Sequence, residues 1–498
     1  MWPFSSKKPS AIAQTPIFFT NTLTKKKEAF HSQKPGIATI YTCGPTVYSR
    51  IHIGNMRAYV FADLIARTLR AAGCHVRQVI NITDVGHLVG DADEGQDKIE
   101  MGAKAEGLSV EALTGRYTKQ FIDDLGLLNI DTTPILFPRA TEYIAEQIKM
   151  VQELEKKGFT YRTHDGIYFD TSRFPEYGKL GGISEAELKT GDATTLEDRI
   201  TIAAGRRIAE NKDKRHPADF ALWKFSSLNE RRLQEWPSLW GRGFPGWHLE
   251  CSAMIRAILG NEIDVHTGGI DHIPIHHNNE IAQSESVLGK PFVRYWMHGA
   301  FLTIEGVKIS KSLKNGLYVS DFSVRGIHPL AFRYFLLQAH YRSPLSFSWE
   351  ALEASAEALT RLWRLSATIL LASKGMSVPT EAQERIITLL HDDLGTPQAL
   401  AYLWEILRDE DITAKEKRAV IEAAEPILGL SLLHIPEAAR LFTSSELPDA
   451  IQSLVKDREK ARVAGEFEKA DTLREKLRNR GYHVEDRPEG PLLTIVPK

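Results

Sequence analysis

The sequence has few of the features that mark whole classes of protein. Three cysteines in 498 residues, scattered and with no CxxC pair, cannot form a disulfide framework. Cysteine this sparse fits a reducing compartment, where thiols serve metals or chemistry more often than cross-links. No apolar run approaches the ~20 residues that span a bilayer, so no membrane partner is expected. The leading stretch MWPFSSKKPSAIAQTPIFF makes a poor signal peptide: its basic pair follows the first aromatics, and Gln14, Thr15 and Pro16 interrupt the apolar run. The reading is of a cytoplasmic protein. Net charge is also small. Lys+Arg number 62 against 64 Asp+Glu, a formal net charge of -2, so there is no global basic field and a nucleic-acid partner must be held by local patches. There is no internal repeat, and 43% hydrophobic with 25% charged residues excludes wholesale disorder and fibrous classes.

Against these absences stands a clear alternation of strands and helices. Residues 36–43, GIATIYTC, are rich in β-branched and aromatic residues and read as a strand ending at the Gly44-Pro45 turn. A helix over 55–72 follows, with Val60, Leu64 and Leu69 at helical spacing and Gly73 as its stop. A strand over 76–82 completes a βαβ unit, which predicts a parallel sheet. Residues 107–158 read as helices. Residues 159–245 change character, with short strands at 159–162 and 166–170, many turn residues and a charged stretch from Arg206 to Arg215. This segment reads as an insertion. The winding then resumes: helix 246–259, strand 262–267, helix 275–288, strand 292–297. From Pro329 onward almost everything reads as helix. The expected fold is α/β: a lead-in over 1–35, a Rossmann-like parallel-sheet domain over 36–325 with an insertion over about 130–245, a connecting segment over 326–350, and an all-α helical-bundle domain over 351–498.

Four places carry chemistry. In CGPTVYSRIHIGN, residues 43–55, a strand end leads through Gly-Pro to His-x-Gly at a helix start. Helix N-terminal amides favour polyphosphate, His52 can donate to it, and Gly54 admits a flat ligand. An ordinary βα turn with an incidental histidine fits the same residues. In GVKISKSLKNG, residues 306–316, Lys308 and Lys311 sit between glycines, as in a cationic loop that closes over phosphoryl charge or simply faces water. Cys43, Cys251, His276 and Glu280 offer thiolate, imidazole and carboxylate, a set that suits zinc. His276 and Glu280 share a helix face at i,i+4, although His277 competes for the same role. Buried free cysteines and surface His–Glu pairs are the ordinary alternative. Finally HTGGID, residues 266–271, can place Asp271 near ribose hydroxyls at a sheet edge, or be a generic turn.

Taken together and in order, these segments resemble the class I aminoacyl-tRNA synthetases. CGPTVY…HIGN is similar to the first nucleotide-binding signature of that class, and KISKS to the second. Within the class, CGPTVY, PGWHLECSAM, HHNNEIAQSE and KISKS resemble the cysteinyl-tRNA synthetase family, over roughly residues 35–340 and more loosely through the helical C-terminus. The chain departs from the family's commonest pattern at Thr267, Ile270, Pro274, Ile275, Asn278 and Ile309. It also carries a longer segment, NITDVGHLVGDADEGQDKI, over 81–99. Asn55, where most of the class has histidine, is usual for this family.

The resemblance implies activation of L-cysteine by ATP, with Mg²⁺, to cysteinyl-adenylate, then transfer to the 3′-terminal adenosine of tRNA(Cys). It implies phosphate contacts from His52 and Asn55, with Thr46 and Gly54 in the same nucleotide site. Lys308 and Lys311 would meet the pyrophosphate, and Gly269 and Asp271 the ribose. It further implies one Zn²⁺ per chain on Cys43, Cys251, His276 and Glu280, binding the substrate thiol as Glu280 loosens, with Trp247 against the substrate. The helical domain would bind the anticodon stem and loop of tRNA. Basic side chains crowd it at Lys456, Arg458, Lys460 and Arg462 and again at Arg474, Lys476, Arg478 and Arg480, with Phe467, Tyr482 and His483 as stacking platforms. A monomer is expected. Two other readings are an ATP-dependent cysteine ligase acting on a small amine, which would lack the long helical extension, and a non-catalytic paralogue, which would tend to lose ligands or the lysine loop.

Overall fold

The computed structural model describes residues 15–85, 97–181, 213–226, 232–304, 307–308, 316–437, 442, 446–486 and 490–495. The chain divides into two compact units: Met1–Val319 with His340–Phe347 and His391–Leu394, and Ser320–Ala339 with Ser348–Leu390 and Gly395–Lys498.

The first unit is built on a five-stranded sheet. Its strands are β1 (Ile37–Thr42), β2 (His75–Ile80), β3 (Ile135–Leu136), β4 (Ile263–Gly269) and β5 (Val293–Gly299). Their order is β5-β4-β1-β2-β3, and every neighbouring pair is parallel. Burial explains the composition. Ala38, Ile40 and Tyr41 of β1 and Ile263 and Val265 of β4 are inaccessible, as expected of strands covered on both faces. Helix α1 (Ile53–Ala71) links β1 to β2 and buries Val60, Leu64 and Leu69. Helix α2 (Trp247–Ile258) precedes β4, and α3 (Asn278–Leu288) joins β4 to β5. From β1 the chain moves to β2 on one side and later returns to β4 on the other. The strand order therefore reverses between β1 and β4, and their carboxyl ends flank the crevice where such sheets bind ligands.

The inserted segment forms a second, antiparallel sheet of five strands in the order Thr160–Arg162, Gly166–Phe169, Phe220–Phe225, Gly241–Pro245, Trp236–Ser238. Phe169, Phe220, Leu222 and Trp223 share one apolar core with Leu249 and Ala253 of α2 and Ala282 of α3. The insertion thus braces the two helices that carry the site.

The second unit is helical, with Leu330–Leu337, Trp349–Ala372, Thr396–Arg408, Ala414–Leu428, Asp449–Val463 and Phe467–Asn479 among its helices. An all-α expectation omits one element: an antiparallel hairpin of Tyr482–Glu485 and Leu492–Ile495. Val484 and Leu493 of that hairpin pack with Ile451, Val455 and Leu477, covering the last helix pair. The helix expected over 275–288 also differs, since Ile273–His277 is a π turn that runs into α3. Such turns add a residue to the helical repeat and favour functional sites. Among the described residues, no helix is long and apolar enough to cross a membrane.

Candidate metal and nucleotide site

Cys43 follows β1 directly, and its N–H donates to the Thr267 carbonyl of β4 at 3.2 Å. The next residue has to be glycine: a Cβ on Gly44 would lie 1.5 Å from the Asn81 carbonyl oxygen. Cys251 sits on α2, His276 and His277 on the π turn, and Glu280 in the first turn of α3. These four elements bring their side chains to one buried point at the sheet's reversal. Cys43 Sγ is 4.0 Å from Cys251 Sγ and 3.6 Å from Glu280 Oε1. His276 Nε2 lies 3.1 Å from Glu280 Oε1. The donor atoms of Cys43, Cys251, His276 and Glu280 all fall within 4.8 Å of one another, and so do those of Cys43, His266, His277 and Glu280.

The competition between His276 and His277 seen in the sequence thus survives in three dimensions. His277 Nε2 is 3.3 Å from Cys43 Sγ, while its Nδ1 meets His298 Nε2 at 2.7 Å. His266 Nε2 meets Glu280 Oε2 at 2.9 Å and its ring stacks on Trp296. His248 Nδ1 faces His276 Nδ1 at 2.9 Å, and the Trp247 ring centroid is 4.6 Å from that of His276. Sequence spacing could not have found His266 or His298, because each arrives on a different strand; His248 lies three residues before Cys251 on α2.

The electrostatics favour a cation at this point. Burial pushes the Cys43 thiol well up, helped by neighbouring Cys251. Cys251 moves the other way, to about 6, through its hydrogen bond with Cys43 and, against burial, its contact with His276. Burial opposes charge on His276, but Cys251 and Glu280 outweigh it and raise the imidazole to about 10. Burial alone would raise Glu280, yet His266 and His276 hold its carboxyl far below the usual range. Burial keeps His277 and His298 neutral. Buried anions demand a positive partner. Two thiols, an imidazole and a carboxylate converging at one buried point fit a thiophilic ion by donor chemistry as well as by distance.

The nucleotide candidates lie around the same strand ends. His52 caps α1, its Nδ1 accepting the Asn55 N–H at 3.3 Å, with Gly54 and Asn55 in the first turn. Thr46 bridges to Thr83 next to β2. Gly269 ends β4 and Asp271 stands exposed in the short turn Ile270–His272. Gly268 is required by its neighbours, since a Cβ there would meet His272 Nδ1 at 2.5 Å. Lys308 ends a two-residue strand, Val307–Lys308, paired with Thr303 and Ile304. Lys311, the stretch 206–212 and the segment 86–96 lie outside the described residues.

In the helical unit, part of the basic crowding has an internal use. Asp486 accepts from Arg458 at 2.7 and 2.8 Å, from Arg462 at 2.6 Å and from Arg474 at 2.8 Å. Phe467 stands 67% exposed at the tip of the last helix pair. Tyr482 packs on the hairpin core, and His483 is exposed.

A parallel sheet with a 3-2-1-4-5 order and a cluster at its reversal point defines a nucleotide-binding α/β enzyme fold. Solved class I synthetases share it. Mycobacterium tuberculosis methionyl-tRNA synthetase bound by methionyl-adenylate superposes with a TM-score of 0.56 at 16% identity, covering 81% of this chain and 94% of that one. The Agrobacterium radiobacter K84 agnB2 LeuRS–tRNA–LeuAMS complex gives 0.57 at 12%, covering 82% and 86%. At these identities the likeness speaks for the fold. The family follows from sequence. Residues 29–357 match the model of the tRNA synthetases class I (C) catalytic domain, and residues 444–490 that of the cysteinyl-tRNA ligase anticodon binding domain. Cysteine–tRNA ligase 1 of Burkholderia lata is 42% identical over 479 residues, spanning 96% of this chain and 97% of the relative. Cysteine–tRNA ligase of Treponema denticola is 40% identical over 494, spanning 94% and 97%. The chain belongs to the cysteine–tRNA ligase family.

Proposed function

We propose that the chain charges tRNA(Cys) with L-cysteine, selecting its substrate through zinc. The observation that carries this reading is the buried convergence of Cys43, Cys251, His276 and Glu280. A bound zinc ion would lower the pKa of a thiol enough to ligate it as thiolate, which a serine hydroxyl does poorly. A pocket that told two substrates apart by size alone would gain only ~1–3 kcal/mol per methylene. Trp247, tilted against His276, would line the substrate side.

The chain's other residues position the reaction. The cysteine carboxylate oxygen bonds to the α-phosphorus of ATP, the bond to pyrophosphate breaks, and the pyrophosphate leaves with Mg²⁺. His52 and Asn55 at the α1 N-terminus, beside Thr46 and Gly54, hold phosphate oxygens. Lys308 and Lys311 meet the departing charge, while Gly269 and Asp271 hold the ribose. A terminal ribose hydroxyl of the tRNA then attacks the acyl carbon and AMP leaves. We assign residues 36–325 to catalysis; the insertion, expected at about 130–245, begins only after β3, since Ile135–Leu136 is a strand of the parallel sheet. Residues 326–350 are assigned to the connection and 351–498 to anticodon binding, with Phe467 and His483 offering faces for splayed bases. The chain is read as a cytoplasmic monomer. Cysteine-dependent ATP–pyrophosphate exchange and tRNA(Cys) charging test this function, against ligation of cysteine to small amines. Exchange without tRNA charging would overturn it.

A further inference from the structure

The two cysteines of the cluster come from distant parts of the chain, yet their sequence neighbours are joined by one buried line of hydrogen bonds. The Gly44 N–H, next to Cys43, donates to Asn81 Oδ1 at 2.8 Å. Asn81 Nδ2 donates to Thr83 Oγ1 at 3.2 Å, and Thr83 Oγ1 donates to Glu250 Oε2 at 2.9 Å. Glu250 precedes Cys251. Asn81, Thr83 and Glu250 are 1%, 2% and 0% exposed, so water does not compete for these groups. The polarity of the line is forced from its backbone end. The Gly44 N–H can only donate, so the amide must present its oxygen to Gly44 and its NH₂ to Thr83, whose hydroxyl is then left to donate to Glu250. Reversing the amide would set two donors, Asn81 Nδ2 and the Gly44 N–H, against each other.

We propose that Glu250, Thr83 and Asn81 are positioning residues, a relay that holds the Cys43 and Cys251 sulfurs at the spacing a shared ion needs and thereby sets thiol selectivity. This rests on the zinc reading above. Asn81 Oδ1 also accepts from the Cys251 thiol at 3.7 Å, so the relay touches one ligand directly and Thr83 fixes the amide that does so. Partners one bond removed from metal ligands orient those ligands, and their loss typically costs about 10–100-fold in metal affinity. The backbone of this stretch is held independently: Val47 N–H donates to Thr83 O at 3.1 Å and Thr83 N–H to Pro45 O at 3.0 Å. Thr83→Val therefore removes the hydroxyl while keeping the loop.

The test titrates the full-length, metal-stripped chain with Zn²⁺ and with Co²⁺, whose thiolate charge-transfer absorption reports the sulfur geometry. Thr83→Val is expected to bind either ion about 10–100-fold more weakly, to shift the Co²⁺ spectrum and to raise KM for cysteine more than it lowers kcat. Thr83→Ser is expected to restore all three. Glu250→Gln, whose amide can face Thr83 with either end, is expected to fall between them and serves in place of Thr83→Val should that variant fail to fold. Equal affinity and an unchanged Co²⁺ spectrum in the hydroxyl-free variant would overturn the relay. A wild-type chain that takes up no metal would instead overturn the zinc reading itself.

Discussion

Replacing Asp486 by Asn separates the two activities expected of this chain. The carboxylate gathers three arginines, and the side chain of Arg458 is only 2% exposed while that of Asp486 is 25% exposed. Breaking a fully buried ion pair costs about 3–5 kcal/mol, because one charge is left desolvated. Partial exposure of Asp486 and the remaining contact of Arg458 with Glu459 at 2.7 Å reduce this to about 2 kcal/mol. For a unit of this size that lowers the helical unit's Tm by about 4–8 °C. The same knot fixes Arg462 and the helix pair bearing Phe467, so tRNA(Cys) charging should show a raised KM for tRNA while cysteine-dependent pyrophosphate exchange stays at the wild-type rate. Acid adds a check. Hydrogen bonding from Arg458, above all, holds Asp486 below the usual carboxylate range. Its native pKa lies below its unfolded one, so its contribution is full above pH ~4 and is lost as pH falls through the native value. The wild-type and Asp486→Asn stability curves should converge in acid. Equal loss of both activities, or an unchanged Tm at neutral pH, would refute this reasoning.

Three further outcomes follow from the site. Gly44→Ala puts a Cβ 1.5 Å from the Asn81 carbonyl oxygen, so the loop must move; metal content and pyrophosphate exchange should fall together, as metal analysis and exchange assays on the soluble fraction would show. Lys311→Ala should lower kcat of exchange about 10²–10³-fold, the loss usual for one group stabilising transition-state charge, with metal content unchanged. His276→Ala should deplete bound metal while His277→Ala retains it, measured by elemental analysis of dialysed protein; the reverse result would move the ion to the set of Cys43, His266, His277 and Glu280.

The sequence showed the core of the fold because that core obeys simple patterns. GIATIYTC reads as a buried strand since both its faces are covered, and α1 reads as a helix since Val60, Leu64 and Leu69 recur on one side. Cys43, Cys251, His276 and Glu280 could be proposed together from their chemistry and from the family resemblance; only the fold shows that four elements deliver them to one point. His266 and His298 are illegible because each lies within a separate strand with no spacing shared with the ligands; His248, one turn before Cys251 on α2, is the one that helical spacing could have pointed to. The strands Phe220–Phe225 and Gly241–Pro245 were hidden by the turn residues around them, and β3 by its two-residue length. The terminal hairpin is hidden by the strongly helical pattern just before it. The π turn leaves no sequence signal at all, yet it sets how His276 and His277 both face Glu280.

Bound metal, paired with activation of cysteine against serine, bears most directly on the account. Purified chain should carry one zinc, and stripping it should abolish the preference for cysteine over serine in pyrophosphate exchange, with zinc restoring it. A stripped chain that still adenylates cysteine and refuses serine would contradict the account.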